Sequence, residues 1–442
     1  MTDILLKNCD VLSFTGGKAH VEINQDIAIT GDSIQSITAA GSVPEEGCGQ
    51  IINAAGMLAV PGFINTHAHV PMVLFRNLAE DVTVQEWFND YIWPMESNLT
   101  EEDVYWGAQL GLAEMIENGV TCVADHYFFM DEVAKAVELA GTRANLVWAI
   151  FGHQGEEMID TTIEFTQRWQ GKADGRITAW LGPHAPYTTS PDFLKLCAQK
   201  AQKNDLGIHI HLAETQAQTD LSLKEFGMTP VKQVHECGIL DVPTILAHVI
   251  APRDDDFDIL AHADAGIAQA PKTYLKSGMG LAPIDRYLEM GIPFGLATDG
   301  AVSNNTLDIM EQMRLMGLYA KFLKSDPTFM KLEDILEITF RGSAKVMHQP
   351  DKIGELKAGI LADITLIRQD GLHATPKANP LASLIYCAKS SDVDTVLCNG
   401  KVLMQGRKLL TLDKERIQQE VQSRLQRLSK RLPGERIAYY PA

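Results

Sequence analysis

The feature that most constrains this chain is a rhythm. From about residue 60 to about residue 350, short apolar runs alternate with amphipathic helical stretches. The runs end at His69, near Asp125 (120–124), near Phe151 (145–150), at Gly182 (177–181), at His211 (208–210), at His248 (244–247), near Ala270 (266–269) and at Asp299 (293–298). Helical stretches such as 131–140 and 308–323 lie between them. A strand followed by a helix, repeated, is the pattern of a parallel sheet covered on its outer face. Eight repeats over this length predict a (β/α)8 barrel of the TIM type, for which ~250 residues is typical.

The flanks read differently. Residues 1–58 hold short strands and no helical periodicity, with a hairpin signature at 26–29, Gly31-Asp32 and 33–37. Strands return after 351 at 362–367 and 395–398, the latter followed by the turn pair Asn399-Gly400. The two strand-rich ends are expected to pair as one small β-sandwich domain, 1–58 with 351–442, around a barrel at 59–350. A helix over 413–432 carries Ile417, Val421, Leu425, Leu428 and Leu432 on one face, a stripe expected to pack on the barrel or on a neighbouring subunit.

Composition removes several classes of function. A net charge of −19 opposes general binding to nucleic acid or anionic lipid, which want basic patches. No apolar run approaches the ~20 residues of a membrane helix, and the first residues lack the basic and apolar regions of a signal peptide. The seven cysteines are scattered, without a Cys-x-x-Cys pair. That usage fits reduced thiols in a cytoplasmic protein.

Barrel enzymes keep their chemistry at the carboxyl ends of the strands, so the polar residues there are the informative ones. In Val60-Pro61-Gly62-Phe63-Ile64-Asn65-Thr66-His67-Ala68-His69, the two histidines straddle one alanine. Residues two apart on a strand face the same side, so both imidazoles can aim at one point. Strand five supplies His211, then Glu214 in His-Leu-Ala-Glu; strand six supplies His248 and strand eight Asp299. His67, His69, His211 and Asp299 make an N₃O donor set for one divalent ion, Zn²⁺ first, with Fe²⁺ and Mn²⁺ suited to the same donors. His209 shares the parity of His211 and competes with it; His211 lies nearer the strand end. A bound ion lowers the pKa of its water from about 15.7 to roughly 7. Asp299 is then the natural base, Glu214 the proton donor to the substrate, and His248 the group that orients the attacking or developing oxygen.

These motifs, with Thr298-Asp299-Gly300-Ala301-Val302-Ser303-Asn304-Asn305 and the re-entry stretch Ile353-Gly354-Glu355-Leu356-Lys357-Ala358-Gly359, resemble the amidohydrolase superfamily over nearly the whole chain. The resemblance is to its mononuclear aminohydrolases, which include chlorotriazine hydrolases and 5′-methylthioadenosine/S-adenosylhomocysteine deaminases. Binuclear members carry a carboxylated lysine at the end of strand four, where this chain has Gly182-Pro183-His184. The resemblance implies deamination of an adenine nucleoside, 5′-methylthioadenosine first, with S-adenosylhomocysteine and adenosine as further candidates. It also implies that Glu96 in Trp93-Pro94-Met95-Glu96 accepts hydrogen bonds from ribose hydroxyls, that His184 contacts the nucleoside and that Trp87 walls the pocket. A homo-oligomer is the default for such enzymes. Two departures bear on the substrate. The segment after strand three, Phe151-Gly152-His153, has no arginine for a homocysteine carboxylate, and the strand-seven motif reads Ala270-Pro271-Lys272-Thr273-Tyr274. The alternatives are another amino-heterocycle (8-oxoguanine, a pterin, a triazine) and a non-catalytic scaffold.

Overall fold

The computed structural model describes residues 2–431 and 436–441. Eight parallel strands follow one another around a sheet: Phe63–Ala68, Val120–Tyr127, Arg143–Ile150, Ile177–Pro183, Ile208–Leu212, Thr244–His248, Ala265–Gln269 and Phe294–Leu296. They are barrel strands one to eight. Six of them, all but strands three and four, are buried at every position. This is why they read as continuous apolar runs instead of alternating ones. Helices cover the outside, among them Glu101–Glu117, Met130–Ala140 and Ile309–Lys324.

Strand eight is shorter than the expected 293–298. Past Leu296 the backbone turns from the ladder to close the barrel against strand one. Thr298 donates its N–H to Asn65 Oδ1 (2.9 Å), Asp299 donates its own to His67 O (3.0 Å), and Thr66 Oγ1 donates to Leu296 O (2.9 Å). The closing contacts therefore involve the residues that lead into the first and last functional side chains.

A second, mixed sheet of nine strands draws on both ends of the chain. The hairpin forms as expected, Ile29 pairing with Ile34 and Thr30 with Ser33. Met57–Pro61 pairs antiparallel with Ile364–Arg368, joining the two terminal segments. The sheet curls until Ala362 donates to Asp32 O (2.7 Å) and Ile34 to Ile360 O (2.8 Å). Leu6, Val11, Ile27, Ile364, Leu366 and Leu397 fill the core so enclosed. Met57–Pro61 runs straight on into barrel strand one across Gly62, where a Cβ would stand 2.1 Å from Thr121 Oγ1.

One buried ion pair ties the two sheets. Arg143, on barrel strand three, donates from Nε and Nη2 to Asp363 (3.1 and 3.3 Å) and from Nη2 to Asn399 Oδ1 (3.0 Å). Asp363 also accepts the Asn399 N–H (2.7 Å). Both side chains are 3% exposed, so removing one partner leaves the other charge buried and unpaired. Asp363→Ala is expected to cost roughly 3–5 kcal/mol, read as a lowered urea midpoint.

The helix Lys414–Leu428 lies along Glu101–Glu117, where Arg424 Nε pairs with Asp103 (3.2 Å) and Arg427 also reaches Asp103. Ile417 and Leu428 are buried and Val421 packs on the core, but Leu425 stays 37% exposed. The stripe thus meets the barrel over only part of its width, and Leu432 lies outside the described residues. Among the described residues, no helix is long and apolar enough to cross a membrane.

Candidate metal centre and pocket

The barrel mouth brings the sequence-predicted donors together. His69 Nε2 stands 3.3 Å from His211 Nε2 and 3.4 Å from Asp299 Oδ1, and His67 Nε2 stands 3.7 Å from Asp299 Oδ1. One atom from each of His67, His69 and His211 lies within 4.8 Å of the others, as does one from each of His67, His248 and Asp299. Two ligand atoms ~2.1 Å from a tetrahedral ion stand ~3.4 Å apart, which matches the spacing of His69 to its two neighbours.

Hydrogen bonding selects the tautomers a cation needs. His69 Nδ1 donates to His126 O (2.6 Å) and His211 Nδ1 to His184 O (2.8 Å), leaving each Nε2 with its lone pair toward the centre. His67 Nδ1 is 2.9 Å from His209 Nε2, while its Nε2 is buried without a hydrogen-bond partner. An orphaned, buried lone pair aimed at two other histidines and a carboxylate is costly unless a cation satisfies it. Burial holds all three imidazoles below the ordinary histidine range, and neutral imidazole is the form that ligates. The donors fit a divalent ion. His209, which shares parity with His211, is spent on supporting His67.

The backbone at two of these positions is strained. His248 has φ 78° and Asp299 φ 62°, and Val249, β-branched, has φ 49°. Such conformations cost about 1–3 kcal/mol each and persist where the surroundings impose them. Val249 N–H donates to Leu212 O (2.9 Å), and the Tyr287 hydroxyl donates to Val249 O. Asp299 Oδ1 accepts the Gly300 N–H (2.7 Å) and its Oδ2 the Ser303 hydroxyl (3.1 Å).

Glu214 stands beside this group, Oε1 3.8 Å from His248 Nε2 and Oε2 accepting from Gln218 Nε2 (3.1 Å). Burial raises its pKa, with the Asp299 charge adding to the rise and His248 and Gln218 opposing it. Above these residues lies a cavity. Trp87, Phe88, Trp93 and Phe151 form aromatic walls, with Glu96 and His184 between them. Glu96 Oε1 accepts the Tyr127 hydroxyl (2.7 Å), and burial pushes this carboxyl up to about 8. His184 stacks on Phe151 (centroids 4.5 Å, 19°) and bonds Thr188 Oγ1 through Nδ1 (3.0 Å); burial brings its pKa down to about 3. Of the residues singled out for chemistry in the sequence, His69, Trp87, Glu96, His184, His211, Glu214, His248 and Asp299 border the cavity, whereas His67 and His209 do not line it.

Sequence reasoning missed Tyr127, Phe151, Gln218 and the His126 carbonyl. Tyr127 ends strand two and Phe151 follows strand three, so testing every strand end for aromatic residues would have found them. Gln218 and the carbonyl carry no motif.

The chain matches the Amidohydrolase family over residues 58–403. It is 41% identical to a protein of Pelotomaculum thermopropionicum named 5-methylthioadenosine/S-adenosylhomocysteine deaminase, over 98% of this chain and 100% of that one. A protein of the same name from Desulforudis audaxviator is 39% identical over 96% and 99%. Among solved structures, an adenosine deaminase from Xanthomonas campestris with bound zinc superposes with a TM-score of 0.92, at 25% identity over 97% of this chain and 98% of that one. A zinc complex of atrazine chlorohydrolase from Arthrobacter aurescens gives 0.86, at 25% identity over 96% and 100%. With the family matched across most of its length and the donor residues gathered at the barrel mouth, this chain belongs to the amidohydrolase family.

Proposed function

We propose that this protein is a metal-dependent hydrolytic deaminase of an adenine nucleoside, 5′-methylthioadenosine first, yielding ammonia and the inosine analogue. The observation that carries the reading is the joint placement of a metal-type donor group, a buried carboxyl beside it and a second buried carboxyl across an aromatic cavity. The names of the relatives supply the nucleoside.

In this reading His67, His69, His211 and Asp299 hold one Zn²⁺ per subunit, which when bound supplies a water acidic enough to attack at neutral pH. A single ion is supported by Gly182, where a Cβ would meet Val147 Cγ1 at 2.3 Å and Trp148 O at 2.6 Å; a bridging lysine has no room there. Glu214, whose pKa burial raises, gives a proton to a ring nitrogen of the purine. Asp299 and His248 take a proton from the attacking water and pass it to departing ammonia. Trp87 walls the base, His184 contacts the nucleoside and Glu96 receives the ribose hydroxyls. No lysine or arginine appears among the described residues lining the cavity, which favours a methylthio group over a charged homocysteine tail.

Ammonia release from methylthioadenosine, S-adenosylhomocysteine and adenosine tests the proposal. Inactivity on all three with activity on another amino-heterocycle would remove the nucleoside and leave the chemistry.

The raised pKa of Glu96 gives a second test. Below about 8 the free enzyme holds this carboxyl protonated, a poorer acceptor for two ribose hydroxyls; above it the carboxylate accepts both. KM for the nucleoside is therefore expected to fall between pH 7 and 9. In Glu96→Gln it is expected to stay flat over that range, and a parallel fall there would assign the effect elsewhere.

A further inference from the structure

Tyr440 touches both halves of the pocket, although it lies far along the chain from either. Its backbone is clasped by Asn89, whose Oδ1 accepts the Tyr440 N–H (2.9 Å) and whose Nδ2 donates to the Tyr440 carbonyl (3.0 Å). Its ring stacks on Phe88 (5.0 Å, 9°) and meets Tyr187 edge-on (5.3 Å, 74°); both of those rings face the cavity. Its hydroxyl lies 3.3 Å from Thr215 Oγ1 and accepts from Gln218 Nε2 (3.4 Å). The residue is 2% exposed.

The Gln218 amide has one oxygen and two N–H donors, and the site uses all of them. The oxygen accepts the Glu214 N–H (3.1 Å), one donor goes to Glu214 Oε2 (3.1 Å), and the other meets Tyr440. The phenol thereby fixes which way the amide faces, and the amide fixes where the Glu214 carboxyl points. On the other side, the same ring backs Phe88, which sits in the turn Trp87–Ile92 and forms part of the nucleoside wall.

We propose that Tyr440 is a positioning residue with two separable effects: its hydroxyl aligns Glu214 through Gln218, and its ring sets the wall made by Phe88. The inference rests on the reading of Glu214 as proton donor to a nucleoside. Separation into two effects follows from chemistry. Tyr440→Phe removes only the hydroxyl, whereas Tyr440→Ala removes the stacked ring as well.

The test uses metal-loaded full-length enzyme, with metal content and thermal unfolding measured for each variant and rates expressed per bound metal. Tyr440→Phe is expected to lower kcat on the order of tenfold with KM within about twofold, the signature of a misaligned group that acts in the transition state. Tyr440→Ala is expected to lower kcat similarly and also to raise KM on the order of tenfold, since Phe88 loses its stacking partner. In a Gln218→Leu background, Tyr440→Phe is expected to change kcat no further, because the path through the amide is already cut. An unchanged kcat in Tyr440→Phe, or effects of Tyr440→Phe and Gln218→Leu that multiply as independent ones, would overturn the inference. A Tyr440→Ala that unfolds earlier but keeps kcat and KM per metal would overturn it too. A wild type that releases no ammonia from any nucleoside overturns the functional reading itself, a result visible before any variant is made.

Discussion

Replacing His211 by alanine is expected to remove the metal and, with it, turnover. His211 Nε2 is one of three imidazole nitrogens facing a common point, and its Nδ1–H is fixed on the His184 carbonyl at 2.8 Å. Taking it away cuts the donor set from four protein ligands to three and removes the imidazole that stands 3.3 Å from His69 Nε2, so the remaining histidines and Asp299 are expected to hold the metal far more weakly. Water in the pocket then returns to a pKa of about 15.7 from roughly 7, and a loss of at least ~10³ in kcat/KM is expected. Elemental analysis and ammonia release on the same preparation check both halves. His209→Asn sets the scale for a supporting residue. His209 contacts His67 Nδ1 at 2.9 Å without joining the donor group, so metal affinity should weaken by about 10–100-fold, with activity restored by excess metal. If His211→Ala kept stoichiometric metal and rate, the donor set would be misassigned.

The contrast between His211 and His209 also marks how far the sequence could be read. Strand parity was enough to predict that His67 and His69 face one way, because a period of two is a property of the backbone itself. It could not separate His209 from His211, which share that parity; their depth along the strand does so, and depth is set by the barrel. The eight-strand rhythm was legible because burial on both faces forces unbroken apolar runs. Strand eight was misjudged at its end because Thr298 and Asp299 give their N–H groups to strand one instead of continuing the ladder. Glu96 without the family resemblance reads as a solvated loop carboxylate. It is buried because the chain around it coils tightly, through a π-helical turn at Trp87–Ile92 that runs on into Trp93–Glu96, with Tyr127 closing over it. That contact, like those of Gln218 with Tyr440 and of Asn89 with Tyr440, joins single residues far apart in the chain. No periodicity announces such pairs, so a lone sequence does not reveal them.

Glu214→Gln is expected to separate chemistry from metal binding. Glu214 lies three residues beyond His211, and its carboxyl faces His248 and Gln218 instead of joining the donor group. The metal should therefore remain at wild-type stoichiometry. The amide is nearly isosteric, so nucleoside KM should change little, while kcat should fall by about 10²–10⁴, the usual contribution of a positioned acid. The pH dependence fixes the sign. A donor must carry its proton, and burial raises the pKa of this carboxyl from the ordinary 4.5. Wild-type kcat/KM is then expected to fall on the alkaline side as Glu214 ionises, and the limb belonging to this group should vanish in the variant, which has nothing to ionise there. Aspartate at the same position keeps the acid but withdraws it by one methylene, so Glu214→Asp should retain the limb at reduced kcat. Were the glutamine variant to turn over at the wild-type rate with its metal in place, the proton would have to come from elsewhere. His248, whose Nε2 lies 3.8 Å from the same carboxyl, would be the next group to test.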